Sequence, residues 1–322
     1  MPPFKTLGWK NWIIAFLILA GLGIGIDAVF TRYIVLRGPN SPSGRIAHLL
    51  ELNPNEIPVF GTSRVRSMDL GTNGFNYAQD AASFALTDVF LQIELAKKKT
   101  TPIVVEFQFS DSGTLGDEAY LIPFAGDPRI RSVLSQFHKM SWRYFVPGLR
   151  YFGYYDWMLQ DYLNERRSFY RVTRGSIEYL RSPPFNQARF NQIVRQRLDA
   201  DNGFLIDDSL TGRLIDEIKT HPQRLFILVA TPVHRSCFHN FQNEDHLKSI
   251  EARLEAMPNV ELIDWSRLPY PDTAFADTVH LRPAETADLS QKFRIKVSQI
   301  LQQRNLPPLI TPEVTPGVAR AN

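Results

Sequence analysis

Cysteine is almost missing from this chain: Cys237 stands alone among 322 residues. A lone thiol forms no intramolecular disulfide, so cysteine gives no argument for an oxidising compartment. A strong charge of either sign is also missing. Lys and Arg total 36 against 33 Asp and Glu, a formal net charge of +3. That is too little for the concentrated basic footprint of a nucleic-acid binder, and no nucleic-acid partner is expected. Also lacking are paired Cys-x-x-Cys motifs and a His-Glu-x-x-His motif. Metal-ligand residue types do gather at His234, Cys237, His239 and His246. Without such a spacing, the segment reads first as a loop at the rim of a site, from which His234 or Arg235 reaches a substrate. A zinc site is the alternative, and no metal or other cofactor is expected.

The hydrophobic fraction is 44% and the charged fraction 21%, as in a globular protein. The length allows one large domain or two smaller ones, with a substantial core. One apolar run is long. Lys5 and Lys10 precede Trp12–Ile26, Asp27 breaks the run, and Ala28-Val29-Phe30 partly resumes it. The strict run falls short of the roughly 20 residues that span a bilayer, but its flanks nearly complete it. No small-x-small cleavage site follows cleanly, which favours an uncleaved signal anchor over residues 1–33 rather than a cleaved signal peptide. A buried core helix is disfavoured because no polar face interrupts the run. Lys5, Lys10 and the free amine argue for a cytoplasmic N-terminus, weakly opposed by Arg32 and Arg37. The expectation is a single pass through the cytoplasmic membrane, which is then a partner through this helix, with the remaining chain extracytoplasmic.

Residues 34–55 read as a turn-rich linker with one short helical piece near 46–52. From 56 to 304 short apolar strands alternate with helices: strands at Ile57–Phe60, Gly74–Ala78, Pro102–Phe109, Arg224–Ala230 and Val260–Asp264, and helices at Ser83–Lys98, Leu210–Lys219, Glu244–Ala256 and from Pro283 to about Gln303. The helix at Ser83 reads as amphipathic, and Pro283 suits a first helical turn. This rhythm predicts an α/β fold with a parallel sheet covered on both faces, and sites beyond the carboxyl ends of its strands. Residues 112–208 depart from the rhythm and read as a mostly helical insertion. Its aromatic and arginine-rich stretches include Trp142–Phe145 and Tyr151–Trp157. These pack the insertion's own core in the simplest reading. Alternatively, Tyr154 and Trp157 stack on a sugar, or the segment meets a membrane surface. Residues 305–322 read as a disordered tail.

Two stretches carry chemistry. Val59-Phe60-Gly61-Thr62-Ser63-Arg64 is an apolar strand that stops at glycine and presents a hydroxyl; Asp277-Thr278-Val279-His280 places a carboxylate and an imidazole in one late loop. A serine becomes a nucleophile when a base takes its proton and an acceptor fixes that base. Each residue also has a simpler reading. Ser63 suits a turn, Asp277 a helix or loop cap, and His280 a partly buried loop, while Asp272 competes for the acceptor role. Arg64 either binds an anionic substrate group or braces its loop through a salt bridge. The Ser63 N–H is the first candidate oxyanion donor.

These blocks resemble the SGNH (GDSL-like) hydrolases, in particular a membrane-anchored branch whose first block reads Gly-Thr/Ser-Ser-Arg. The resemblance covers about residues 56–110 and 224–300 and omits the insertion. It implies a flavodoxin-like three-layer α/β/α sandwich with Ser63 as nucleophile and Asp277 and His280 completing a triad. It also implies an acyl-ester or polysaccharide substrate, serine esterase or O-acyltransferase activity on cell-envelope glycans, and a multi-pass membrane acyltransferase as a partner. Two blocks depart from the family pattern. Ala81 stands where the family has an oxyanion glycine, and Gln108 or Ser110 must replace its block-three asparagine. A non-catalytic envelope assembly or glycan-binding factor is therefore the alternative.

Overall fold

The computed structural model describes residues 8–80, 83–107, 118–137, 140–166, 170–179, 184–199, 208–238 and 244–309. It divides into two units, residues 1–48 with 117–168 and residues 49–116 with 169–322. In chain order the elements are α1 (Trp9–Phe30), α2 (Pro42–Leu50), β1 (Ile57–Phe60), β2 (Gly74–Asn76), α3 (Phe84–Leu95), β3 (Ile103–Glu106), α4 (Pro128–Phe137) and α5 (Tyr155–Arg166). They continue with β4 (Tyr170–Thr173), β5 (Ser176–Tyr179), α6 (Gln187–Asp199), α7 (Asp208–Thr220), β6 (Phe226–Ala230), α8 (Glu244–Glu255), β7 (Val260–Asp264) and α9 (Pro283–Gln303).

In the second unit five strands pair in parallel in the order β2-β1-β3-β6-β7. This is the flavodoxin-like order of a doubly wound sheet, and the fold is the α/β sandwich expected from the strand and helix rhythm. Alternation along the strands builds its two faces. Val59, Val104, Ile227, Val229 and Ile263 share a core with Leu289, Phe293, Val297 and Ile300 of α9. Phe60, Ile103, Val105, Phe226 and Leu228 alternate with them and are equally buried, and α3 lies against β1 and α7. Leu306 and Leu309 also pack on the α9 core, past the start of the expected tail; residues 310–322 lie outside the described residues.

Two local features here differ from the sequence reading. α3 is not amphipathic: from Phe84 to Leu95 every residue but Gln92 is buried, Asp88 and Glu94 included. Glu94 is tolerated inside because Lys97, Lys99 and Arg224 meet its carboxylate at 2.9, 2.7 and 3.2 Å. Ser83 caps α3, accepting the Leu86 N–H. The region read as a helical insertion contributes α4 and α5 to the first unit but a β4–β5 hairpin and α6 to the second.

In the first unit Asp27 does not break the apolar helix. It is buried on α1, its carboxylate 3.0 Å from Arg150, and the chain continues from α1 into a π-helical turn at Thr31–Val35. Among the described residues, Trp9–Val35 is the one stretch long and apolar enough to cross a membrane. The linker's helical piece is α2, starting at Pro42 rather than near 46.

Candidate active site

Ser63 follows β1 by a turn that only glycine makes easily. Gly61 has φ +152°, and a Cβ there would lie 2.5 Å from the Glu106 Cβ and 2.6 Å from Val65 Cγ2. The chain then coils, with Val65 and Arg66 N–H groups bonding the Thr62 and Ser63 carbonyls. Asn76, buried at the end of β2, holds this coil by donating to the Val65 and Met68 carbonyls at 2.7 and 2.9 Å.

Glu106, at the end of β3 and fully buried, ties the turn together. Its Oε2 accepts the Thr62 N–H at 2.6 Å and the Thr62 hydroxyl at 2.8 Å, and its Oε1 lies 2.6 Å from Arg64 Nε. Arg64 is therefore the brace of its loop. The sequence reading passed over Glu106 as one residue of a strand; an acid ending an otherwise apolar strand was the available signal.

The late loop is closed by an antiparallel bridge between Phe275 and Leu281, and the Ala276 N–H donates to the His280 carbonyl at 2.8 Å. Inside it, Asp277 Oδ1 accepts the Val279 and His280 N–H groups at 2.8 and 2.9 Å, and Oδ2 lies 2.8 Å from His280 Nδ1. A carboxylate can only accept here, so the proton sits on Nδ1 and leaves Nε2 as an acceptor. Ser63 Oγ lies 2.7 Å from Nε2. Burial alone would raise the Asp277 carboxyl; the His280 hydrogen bond and charge, with the two backbone N–H groups, outweigh it and hold the carboxyl below its ordinary value.

Asp272 does not compete for His280. It lies 3.2 Å from His234 Nε2 and 3.5 Å from Arg235. His234 is buried, its ring edge-on to Phe190 and Phe275, and its N–H donates to the Thr278 carbonyl at 2.8 Å, so it supports the late loop. Arg235 is 84% exposed. Cys237 is buried, with Sγ 3.3 Å from the Thr278 carbonyl. His239 lies outside the described residues, and among those described no three His, Cys, Asp or Glu residues are grouped to hold a metal ion. Tyr154 and Trp157 belong to the first unit, where Trp157 packs on Tyr120 with ring centroids 5.0 Å apart.

Ala81, Gln108 and Ser110 lie outside the described residues. The Thr62 N–H is consumed by Glu106.

The β4–β5 hairpin, which the sequence reading missed, leans on the same coil. Ser176 donates to the Met68 carbonyl at 2.7 Å and the Ile177 N–H to the Arg66 carbonyl at 3.0 Å. Its turn is Arg174-Gly175, both at positive φ, between Tyr-Arg-Val and Ile-Glu-Tyr runs, a two-residue hairpin signal visible in the sequence. Between the hairpin, the coil and α9 lies a polar cavity of about 440 Å³, lined among others by Ser67, Arg171, Ser176, Thr286, Gln291 and Arg294.

No family model and no curated protein matches the chain. Solved structures that resemble it include one named as a platelet activating factor from Streptococcus pneumonia, an assignment its own name marks as provisional. The likeness covers 82% of this chain and 94% of that one at 12% identity, with a TM-score of 0.37.

Proposed function

We propose that the chain is a membrane-anchored, SGNH-like serine esterase or O-acyltransferase that acts outside the cytoplasmic membrane on acyl esters, those of cell-envelope glycans foremost. The observation that carries this reading is the chain of contacts from Ser63 Oγ to His280 Nε2 at 2.7 Å and from His280 Nδ1 to Asp277 at 2.8 Å. Ser63 Oγ attacks the ester carbonyl while its proton passes to Nε2. The tetrahedral intermediate collapses to an acyl-serine, and the leaving alcohol departs with that proton. Water or a sugar hydroxyl, deprotonated by His280, then takes the acyl group, giving a carboxylic acid or a new ester and restoring Ser63. Asp277 keeps Nδ1 protonated and favours the imidazolium that forms in each half. The Ser63 N–H is the first oxyanion donor, with Ala81, Gln108 and Ser110 as candidate partners. A polar cavity is lined by Ser67 and Pro283, four residues after Ser63 and three after His280 in sequence, and its lining suits a hydroxyl-rich substrate.

A fluorophosphonate probe tests the reading. Wild type labels covalently and Ser63→Ala does not; an unlabelled wild type, or undiminished labelling of Ser63→Ala, overturns it. If Ser63→Ala and His280→Ala keep full cellular function while Tyr154→Ala and Trp157→Ala lose it, the protein is instead a non-catalytic glycan-binding factor.

A further inference from the structure

The first unit exposes apolar side chains beside the helix that reads as an anchor. Trp142, Phe145, Leu149 and Phe152 are 71%, 51%, 40% and 64% exposed. Their segment packs along α1 itself. Gly148, at φ +85°, sits so close to Gly23 that a Cβ would lie 3.2 Å from its carbonyl. Arg150 meets Asp27 at 3.0 Å, the Tyr151 hydroxyl lies 3.1 Å from Thr31 Oγ1, and Phe30 packs edge-on against Tyr155. Gly23 lies seven residues before the end of α1 at Phe30, which at 1.5 Å per residue is about 10 Å along the axis. If α1 spans a bilayer, residues 147–150 therefore lie below the level of the helix end, and a water-exposed loop cannot occupy that depth.

The chemistry of the segment suits that depth. Of the polar groups on this segment that reach α1, Arg150 meets Asp27 and Tyr151 meets Thr31. Residues 128–155 carry Arg129, Arg131, Lys139, Arg143 and Arg150 and no Asp or Glu. Arg131 lies over the Phe145 ring at 5.5 Å, and Arg143 over Phe152 at 6.0 Å. Aromatic rings with guanidinium groups above them sit well between acyl chains and anionic headgroups.

We propose that residues 142–152 form a second membrane contact, an interfacial segment seated in the leaflet at the C-terminal end of α1. Trp142, Phe145, Leu149 and Phe152 enter the acyl region, and Arg131 and Arg143 face lipid phosphates. The proposal rests on the anchor part of the proposed function and not on its chemistry. The test uses the full chain in lipid nanodiscs with nitroxides at Leu19→Cys, Phe145→Cys or Phe152→Cys; the native Cys237 is buried. The expected result is that labels at all three positions collide with oxygen more than with a water-soluble nickel chelate. Labels at 145 and 152 that favour the chelate while position 19 favours oxygen overturn the segment's placement and leave the anchor standing. A label at 19 that favours the chelate overturns both. The labels at 145 and 152 are expected deeper in phosphatidylglycerol than in phosphatidylcholine, and Arg131→Gln with Arg143→Gln should erase that difference; equal depth in the two lipids overturns the role given to the arginines.

Discussion

Glu106 holds a charge where no water reaches, and it stays because Thr62 and Arg64 engage both of its oxygens. Replacing it leaves the nearly buried Arg64 guanidinium with no counter-charge and frees the turn before Ser63. Glu106→Gln should cost about 3–5 kcal/mol, the usual penalty for removing one partner of a buried pair, read as a lower urea midpoint. It should also lower kcat more than it raises KM on a chromogenic ester, since the turn positions the nucleophile. Asp277 acts differently, by fixing the His280 proton on Nδ1. Asp277→Asn can offer His280 the wrong tautomer, and hydrolysis should fall by about 10³ to 10⁴ with the fold intact. The linkage sign follows from the depressed carboxyl of Asp277. A folded-state pKa below the unfolded value, about 3.9, adds stability that is complete above that value and lost as pH falls through the folded one. Wild type should therefore lose stability toward Asp277→Asn in acid melts as pH falls below about 4.

On α8, Glu251 has the opposite sign. Burial first, then Asp264 and Glu255, push its carboxyl up to about 7 against the pull of Arg267 and Lys248. A raised folded-state pKa gives stability that is full below the unfolded value, about 4.3, and lost as pH rises to about 7. Glu251→Gln, which never ionises, should match wild type near pH 4 and exceed it at pH 8 in thermal melts. At the hairpin, Gly175 has φ +80° and a Cβ there would fall 1.9 Å from the Asn76 carbonyl oxygen. Gly175→Ala should introduce about 1–3 kcal/mol of backbone strain and loosen the coil behind Ser63, checked by urea unfolding and ester hydrolysis together. The elements differ in how readable they were. β1, β7 and the end of α9 fall where apolar runs and Pro283 put them, because propensity, pattern and tertiary packing agree there. The hairpin carries its own turn signal at Arg174-Gly175, but the arginines and aromatics around it also fit a helix, and α3 read as amphipathic because its buried Asp88 and Glu94 look like a solvent face until their partners are known. Ser63, Asp277 and His280 were legible as residue types in order, and their meeting at hydrogen-bond distance depends on the loop after β7, separated from β1 by β3 and β6, reaching back to the end of β1. Glu106 shows in the sequence only as an acid ending an apolar strand, and its role is set by Thr62 and Arg64, far away in sequence.

At the scale of the whole chain, α1 is long and apolar enough to cross a membrane. Its 22 residues extend about 33 Å at 1.5 Å each, enough for a hydrocarbon core of about 30 Å. The ion pair between Asp27 and Arg150 hides the one acidic group on the helix, so the stretch loses the charge that would oppose insertion. If α1 spans a membrane, the chain after Val35 apart from the interfacial segment lies on the side to which the C-terminal end of α1 points, and the lysines before Trp12 favour the cytoplasm for the other end. Alkaline phosphatase, which is active only after export, fused after residue 309 should be active, and the chain should stay in the membrane pellet through alkaline carbonate extraction. The intact protein's mass should include residues 1–33, since Asp27 and Thr31 contact Arg150 and Tyr151 and cleavage would remove them from the first unit. An inactive reporter with a carbonate-resistant chain would reverse the topology and move the substrate to the cytoplasm, while leaving the chemistry of Ser63 to be judged by its own labelling.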